Sequence, residues 1–284
     1  MTEHAHSLTL QAQHITPALA AQLANQCRAT ELICLNPFAY RLLGLNQVDH
    51  AATVLQFSQQ HQLDVAWVPR SRRLDALGLI ATDMDSTLIT IECIDEIGAL
   101  LGIKSRIAEI TEQAMRGEID FAESLRRRVA MLTGVELSAL DTIYNHRLQL
   151  SPGAQTFIDV AHQLHIPLLL VSGGFTFFTD RLQTRLHLHA SLANVLDVQD
   201  GRLTGRLNGP IVDAQAKAIK MQSVANELGV ALHNTLAIGD GANDLPMLAL
   251  AGVSVAYRAK PRVQAAATHA LNFSGLDGAL HLFE

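Results

Sequence analysis

The chain has 284 residues, 49% hydrophobic and 17% charged, with a formal net charge of −6. That composition supports a sizeable core and excludes wholesale disorder, and the acidic balance speaks against a broad nucleic-acid-binding surface. The longest apolar stretches, such as Ile166–Val171, are far too short to span a bilayer.

The opening MTEHAHSLTL lacks the basic region and apolar run of a signal peptide. Cys27, Cys34 and Cys93 show no CxxC spacing, which points to reduced thiols and a cytoplasmic protein. Ser7–Gln13 alternates like a strand, and Pro17–Arg28 reads as a helix capped by Thr16. Glu31–Leu35 and Phe38–Leu43 read as strands turned at Asn36-Pro37. Val48–Gln62 then looks helical and Leu63–Val68 extended. The order βαββαβ predicts a small ferredoxin-like α+β module over residues 1–72, ending in the polar break Pro69–Arg73.

From residue 73 to residue 284 the pattern changes. Short apolar runs at Leu77–Thr82, Pro167–Val171, Thr235–Ile238 and Val253–Tyr257 read as strands. Helical patterns such as Ala154–Leu164 and Ala214–Leu228 lie between them. This alternation predicts an α/β fold with a Rossmann-like parallel sheet core covered on both faces. Between Ser86 and Ser151 the chain reads as helix throughout, in four pieces separated by Gly102, Gly117 and Gly134. That is too much helix for one crossover, and it predicts a helical cap inserted at about 90–149.

Polar residues collect just past the strand ends, where ligands bind in open α/β sheets. Asp83 and Asp85 follow the first strand; two like charges so placed repel unless a cation or a shared proton compensates, although such pairs also occur in turns and helix caps. Ser172-Gly173-Gly174 offers a hydroxyl and unhindered N–H groups suited to phosphate, or an ordinary turn. Lys217 lies on a predicted helix, with Lys220 one turn later as an alternative cation. Gly239-Asp240-Gly241-Ala242-Asn243-Asp244 puts two carboxylates and an amide on a glycine-rich turn. Taken together these sites supply oxygen ligands for a hard cation, donors for phosphate and a nucleophile, a set that suits magnesium better than zinc. His162 and His165 have no evident third ligand.

The strings DMDST, VSGG with a downstream lysine, and GDGANDLPM resemble the haloacid dehalogenase superfamily of phosphohydrolases over residues 77–284. Within it, the cap strings Ile91–Glu96, Met115–Phe121 and Ser124–Val129, with Ser172–Phe175, are similar to the phosphoserine phosphatase family. The first 72 residues lie outside the match.

The resemblance implies a magnesium-dependent phosphoric monoester hydrolase acting on phosphoserine, in the last step of serine biosynthesis. It implies that Asp83 attacks phosphorus to form an aspartyl phosphate, while Asp85 protonates the leaving oxygen and then activates water. Asp83, the backbone carbonyl of Asp85, and Asp240 would hold magnesium, with Asp244 supporting the metal through water or orienting Lys217. Lys217, Ser172, Gly173 and Asn243 would bind phosphate or substrate, and Thr87 would orient the first loop. Glu92 would take the substrate ammonium and Arg128 its carboxylate. Of Arg126, Arg127 and Arg128, successive on a helix, at most two can face the site. Met115 and Phe121 would be apolar walls. The alternative is a broader phosphomonoesterase or phosphotransferase of the same superfamily. The N-terminal module could sense an amino acid or mediate homodimerisation.

Overall fold

The computed structural model describes residues 6–284; the expected N-terminal module begins within residues 1–5, outside the described part. Its elements are β1 (His6–Gln11), α1 (Pro17–Cys27), β2 (Glu31–Asn36), β3 (Ala39–Leu43), α2 (Gln47–His61) and β4 (Asp64–Pro69). Thr16 Oγ1 accepts from the Leu19 N–H at 3.2 Å and Pro17 opens α1, so this helix starts where its capping chemistry dictates. The four strands form an antiparallel sheet in the order β2-β3-β1-β4. Leu8 and Leu10 of β1 pack with Tyr40, Leu42, Leu23 and Phe57 on the helix side. The alternate residues Ser7, Thr9 and Gln11 are equally buried, on the opposite face.

A linker leads into β5 (Leu79–Thr82), after which four short helices intervene: α3 (Cys93–Leu100), α4 (Lys104–Met115), α5 (Phe121–Ala130) and α6 (Leu137–His146). The chain continues through α7 (Ala154–Gln163), β6 (Leu168–Phe175), α8 (Thr176–Leu186), β7 (Ala190–Gln199), β8 (Arg202–Asn208) and α9 (Ala214–Glu227). It ends with β9 (Thr235–Gly239), α10 (Leu245–Leu250), β10 (Val253–Tyr257), α11 (Pro261–Ala266), β11 (His269–Leu271) and a 3-10 stretch, Leu276–Leu282. The large sheet runs β11-β10-β9-β5-β6-β7-β8, parallel except for β8. Ile80, Leu236 and Ile238 feed one hydrophobic cluster, while Leu79, Ala81 and Ala237 feed another on the opposite face. Burial on both faces is why these strands read as continuous apolar runs. The chain leaves β5 toward β6 and returns to β9 on β5's other side, so the topological switch falls at the centre of the sheet.

The helical insert is joined to the core by two short extended segments. Ile89 bridges Leu150, and the Thr90 N–H donates to the Gln149 carbonyl at 3.0 Å. Beneath the insert lies a hairpin, β7–β8, that the apolar-run pattern does not reveal. Its tip, Asp200-Gly201, has φ of 51° and 74°, the left-handed pair that a two-residue hairpin turn requires. The hairpin props the cap: the Gly134 N–H donates to Leu203 O and the Leu203 N–H to Val135 O, both at 2.8 Å. No helix among the described residues is long and apolar enough to cross a membrane.

The polar face of the small sheet docks on the C-terminal segment. Arg41 pairs with Glu284 at 2.7 Å and donates to the carbonyls of Phe283 (2.6 Å) and His281 (3.0 Å). The buried Asp64 carboxylate accepts from the N–H groups of Asn272 (2.8 Å), Phe273 (2.9 Å) and Ser274 (2.8 Å). Asp64→Ala leaves several of these donors without a partner and should lower unfolding stability by about 3 kcal/mol or more. Asp64→Asn keeps one acceptor oxygen and should lose less; urea denaturation of both variants checks this.

Candidate active site

The two central strands carry the acidic groups. Asp83 follows β5, and its backbone N–H donates to Ile238 O of β9 at 2.9 Å, which locks the two strand ends together. Asp240 and Asp244 lie on the turn that follows β9. Carboxylate oxygens of Asp83, Asp240 and Asp244 lie within 4.8 Å of one another. Lys217, 0% exposed, projects from α9 into this cluster. Its Nζ lies 2.8 Å from Asp83 Oδ1 and 2.8 Å from Asp244 Oδ1. The remaining oxygen of Asp244 accepts from the Gly241 N–H at 3.0 Å, which ties the lysine to the glycine-rich turn. Thr87 Oγ1 donates to Asp240 Oδ1 at 3.3 Å.

Electrostatics follow from this crowding. Burial and then Asp244 push the Asp83 carboxyl well above the usual range, against the pull of Lys217. Burial and Asp244 likewise push Asp240 up to about 7. Burial works against the Lys217 charge, but the Asp244 and Asp83 carboxylates outweigh it and hold the ammonium above its ordinary value. Three close carboxylates with one ammonium form a site short of positive charge. All the donors are oxygens, so the group fits a hard divalent cation.

Asp85 turns away from this trio. Its Oδ1 accepts from the Cys93 N–H at 3.3 Å at the start of α3, and burial followed by Glu92 raises it to about 7. The intervening Ser86 has φ of 55°, and its Oγ donates to Glu92 Oε1 at 2.7 Å. Between the two aspartates Met84 already has helical rather than extended backbone, so the regular-strand geometry in which they would share a face does not apply. Opposite them, Gly173 and Gly174 of β6 line the pocket. A Cβ on Gly174 would sit 2.8 Å from Asp85 Oδ2, so the glycine is required for this approach.

Asp83, Asp85, Glu92, Phe121, Arg128, Ser172, Gly173, Asp240 and Asn243 line one cavity of about 130 Å³. Arg126 and Arg127 face solvent. Lys217 is the lysine in the cluster, sealed behind the carboxylates; Lys220 is not in it. His162 and His165 are exposed and away from the cavity. Met115 departs from expectation. It is 62% exposed at the end of α4, beside Lys260 Nζ at 3.8 Å, and does not line the cavity. Asn194 of β7 escapes the sequence reading. Its amide donates to Gly173 O at 2.8 Å and its oxygen accepts from Val212 N at 2.8 Å, holding the glycine loop in place. Its only signal was a polar residue inside a strand that was itself unpredicted.

The haloacid dehalogenase-like hydrolase family matches residues 80–249. A phosphoserine phosphatase of Polaromonas sp. is 49% identical over 215 residues, covering 74% of this chain and 91% of that protein. The fold is similar to a HAD family hydrolase of Salmonella enterica serovar Typhi, with a TM-score of 0.88 and 33% identity over 98% of this chain and 99% of that one. It is also similar to a probable phosphoserine phosphatase of Vibrio cholerae in unliganded form, with a TM-score of 0.84 and 36% identity over 98% and 86% of the two chains.

Replacing Lys217 with Met leaves Asp83 and Asp244 buried without their cation. In metal-free protein this should cost about 3–5 kcal/mol of stability at pH 8. Burial already raises the Asp83 carboxyl above its unfolded value, and removing the ammonium removes the contact that opposes this. The loss should therefore grow as pH rises and shrink toward pH 5, which unfolding curves at the two pH values will show.

Proposed function

The chain belongs to the haloacid dehalogenase-like hydrolases, and from that premise we propose that it hydrolyses O-phosphoserine to serine and phosphate, the last step of serine biosynthesis. The observation that carries the substrate class is that Glu92 and Arg128, of opposite charge, line the same cavity as Asp83. Phosphoserine has an ammonium, a carboxylate and a phosphate. Glu92 takes the first, Arg128 the second through its planar fork, and the strand-end groups the third. Burial lowers the Arg128 pKa, opposed by Asp95 and Glu92. A substrate carboxylate would strengthen that opposition.

In the proposed reaction Asp83 attacks phosphorus and the bond to the serine oxygen breaks. Asp85, raised to about 7, is divided between its protonated and ionised forms at neutral pH, and the protonated form gives its proton to that oxygen. The same residue, now a base, takes a proton from water, which attacks the aspartyl phosphate. Phosphate leaves and Asp83 is regenerated. Lys217 holds Asp83 in place and offsets the charge of the incoming phosphate. Ser172, whose Oγ accepts from the Gly174 N–H at 2.8 Å, shapes the loop whose Gly173 meets phosphate together with Asn243. Asp83, the main-chain carbonyl of Asp85, and Asp240 would hold magnesium, which when bound neutralises charge between nucleophile and substrate. Asp244 keeps Lys217 in position.

The same proposal divides the chain into a module at 1–72 and a phosphatase domain at 73–284 with its cap at about 90–149. It also places the protein in the cytoplasm, a reading supported by the free thiols of Cys27, Cys34 and Cys93.

Phosphate release from a panel of phosphomonoesters should be fastest for phosphoserine and should stop with EDTA and return with magnesium. Flat selectivity would remove the substrate assignment and leave the phosphatase. Asp83→Asn should abolish turnover and phosphoenzyme formation, and retained turnover would exclude the covalent route. Arg128→Ala should raise KM for phosphoserine by about tenfold or more, with little change for an aryl phosphate.

A further inference from the structure

The parallel ladder between β6 and β7 is interrupted at the cavity. Val171 pairs with Leu192 and Phe175 with Asn194, so Ser172, Gly173 and Gly174 of β6 stand opposite Ala193 alone. A strand that bulges in this way loses the ladder partners of its backbone groups. Buried carbonyls left without partners are costly, so another group must take the place of the ladder. The Asn194 side chain does so. It is 1% exposed, and its Nδ2 donates to Gly173 O at 2.8 Å and to Gly174 O at 3.3 Å. Its Oδ1 accepts from the Val212 N–H at 2.8 Å. Two carbonyls on one side and an N–H on the other fix the orientation of the amide, and both of its ends are used.

These partners lead to two groups that meet phosphate from different elements. Gly173 faces the cavity between Phe121 and Asn243: a Cβ on it would lie 3.1 Å from the Phe121 ring and 3.9 Å from Asn243 Nδ2. Its carbonyl turns the other way, to Asn194, which does not line the cavity. The opposite edge of the same peptide is fastened too, since the Gly174 N–H donates to Ser172 Oγ at 2.8 Å. Held there, the two carbonyls cannot swing toward a bound phosphate, whose oxygens they would repel. On the other side, Val212 precedes Asp213, the N-cap of α9, whose Oδ1 accepts from the Ala216 N–H at 2.9 Å. The following residue is Lys217, whose backbone N–H donates to Asp213 O at 3.1 Å. One amide therefore joins the glycine loop to the first turn of the helix that carries the buried ammonium.

We propose that Asn194 is a positioning residue for phosphate: by fixing the glycine loop and the start of α9 relative to each other, it sets the affinity of the site for the phosphoryl group of any ester. It touches no reacting atom, and its two arms act on different quantities. The Nδ2 arm shapes the loop that binds phosphate. The Oδ1 arm places Lys217 beside Asp83, where a small displacement slows attack on phosphorus. This inference rests on the proposed phosphatase reaction and complements Glu92 and Arg128, which select the rest of the substrate.

Inorganic phosphate is titrated calorimetrically into the full chain with magnesium present, and KM and kcat are measured for phosphoserine and for an aryl phosphate. Asn194→Asp keeps an oxygen for the Val212 N–H but sets a second oxygen against the two carbonyls. It should weaken phosphate binding by about tenfold or more and raise KM by the same factor for both esters, with kcat within about threefold of wild type. Asn194→Ala frees both arms and should also lower kcat by about tenfold or more. Asn194→Ser, too short to span both sides, stands in for either variant that does not fold and should weaken phosphate by about threefold or more. A residue that only filled the core would shift the unfolding midpoint without this division between KM and kcat. Unchanged phosphate affinity in a folded variant overturns the proposal, as does wild type that binds no phosphate. So does a rise in KM for phosphoserine alone, which would group Asn194 with Arg128 and Glu92. Wild type that binds phosphate but hydrolyses no ester overturns the phosphatase reading instead, and the titrations still decide whether Asn194 governs phosphate affinity, so the two failures are told apart.

Discussion

The ammonium of Lys217, buried between Asp83 and Asp244, is the contact on which the rest of the site depends. A buried cation is costly unless paired, and here it is paired twice at 2.8 Å. The same contact joins three elements: α9 behind the sheet, the end of β5, and the turn after β9. It accounts for the position of Asp83 and for the geometry of the glycine-rich turn, since Asp244 holds Lys217 with one oxygen and the Gly241 N–H with the other. One positive charge among three carboxylates leaves the cluster acidic, which is why its oxygens are suited to a divalent cation.

Chemistry and selectivity come from different layers. The sheet supplies the strand-end groups, whose places are set by the hydrogen-bonded register of β5, β6 and β9. The cap supplies Glu92 and Arg128. Asp85 sits between them, accepting from Cys93 N–H at the first turn of the cap. The loop from Asp83 to Leu88 thus begins at the sheet and ends at the cap's mounting, and any shift of the cap reaches Asp85. Phe121 walls the cavity from the cap side, whereas Met115 stands at the surface beside Lys260.

The N-terminal module is joined to the body by buried polar contacts set beside an apolar seam, in which Ala66 and Val68 of β4 belong to the body's core and Phe273 packs on the module's. Ser7, Thr9 and Gln11 are buried because the C-terminal segment lies across them, and Arg41 and Asp64 satisfy its backbone groups. Polar groups buried in this way must all be partnered, so the junction specifies one orientation instead of a sliding surface. The segment that receives them also contacts Pro152, at the foot of the cap hinge.

The sequence by itself determined the features that rest on local rules. The alternation of β1, the Thr16 cap and the βαββαβ order follow from side-chain period and capping chemistry. The parallel core follows from apolar runs buried on both faces, and the inserted helices from a length no crossover requires. The order of Asp83, Ser172, Lys217 and Asp240 along the chain placed each at a strand end or on the neighbouring helix. Only the tertiary structure decided the rest, because these features depend on contacts between residues distant in sequence. Lys217 and Asp244 are joined by a hydrogen bond across 27 positions. The family resemblance singled out Arg128, but that Arg128 lines the cavity while Arg126 and Arg127 face solvent depends on which helix face packs inward. The β7–β8 hairpin was hidden because β8 is polar and half-exposed, even though Asp200-Gly201 marks its turn, and with it went Asn194. The buried polar face of β1 reads in sequence as a solvent face; only the C-terminal segment, more than 260 residues away, makes it an interior one.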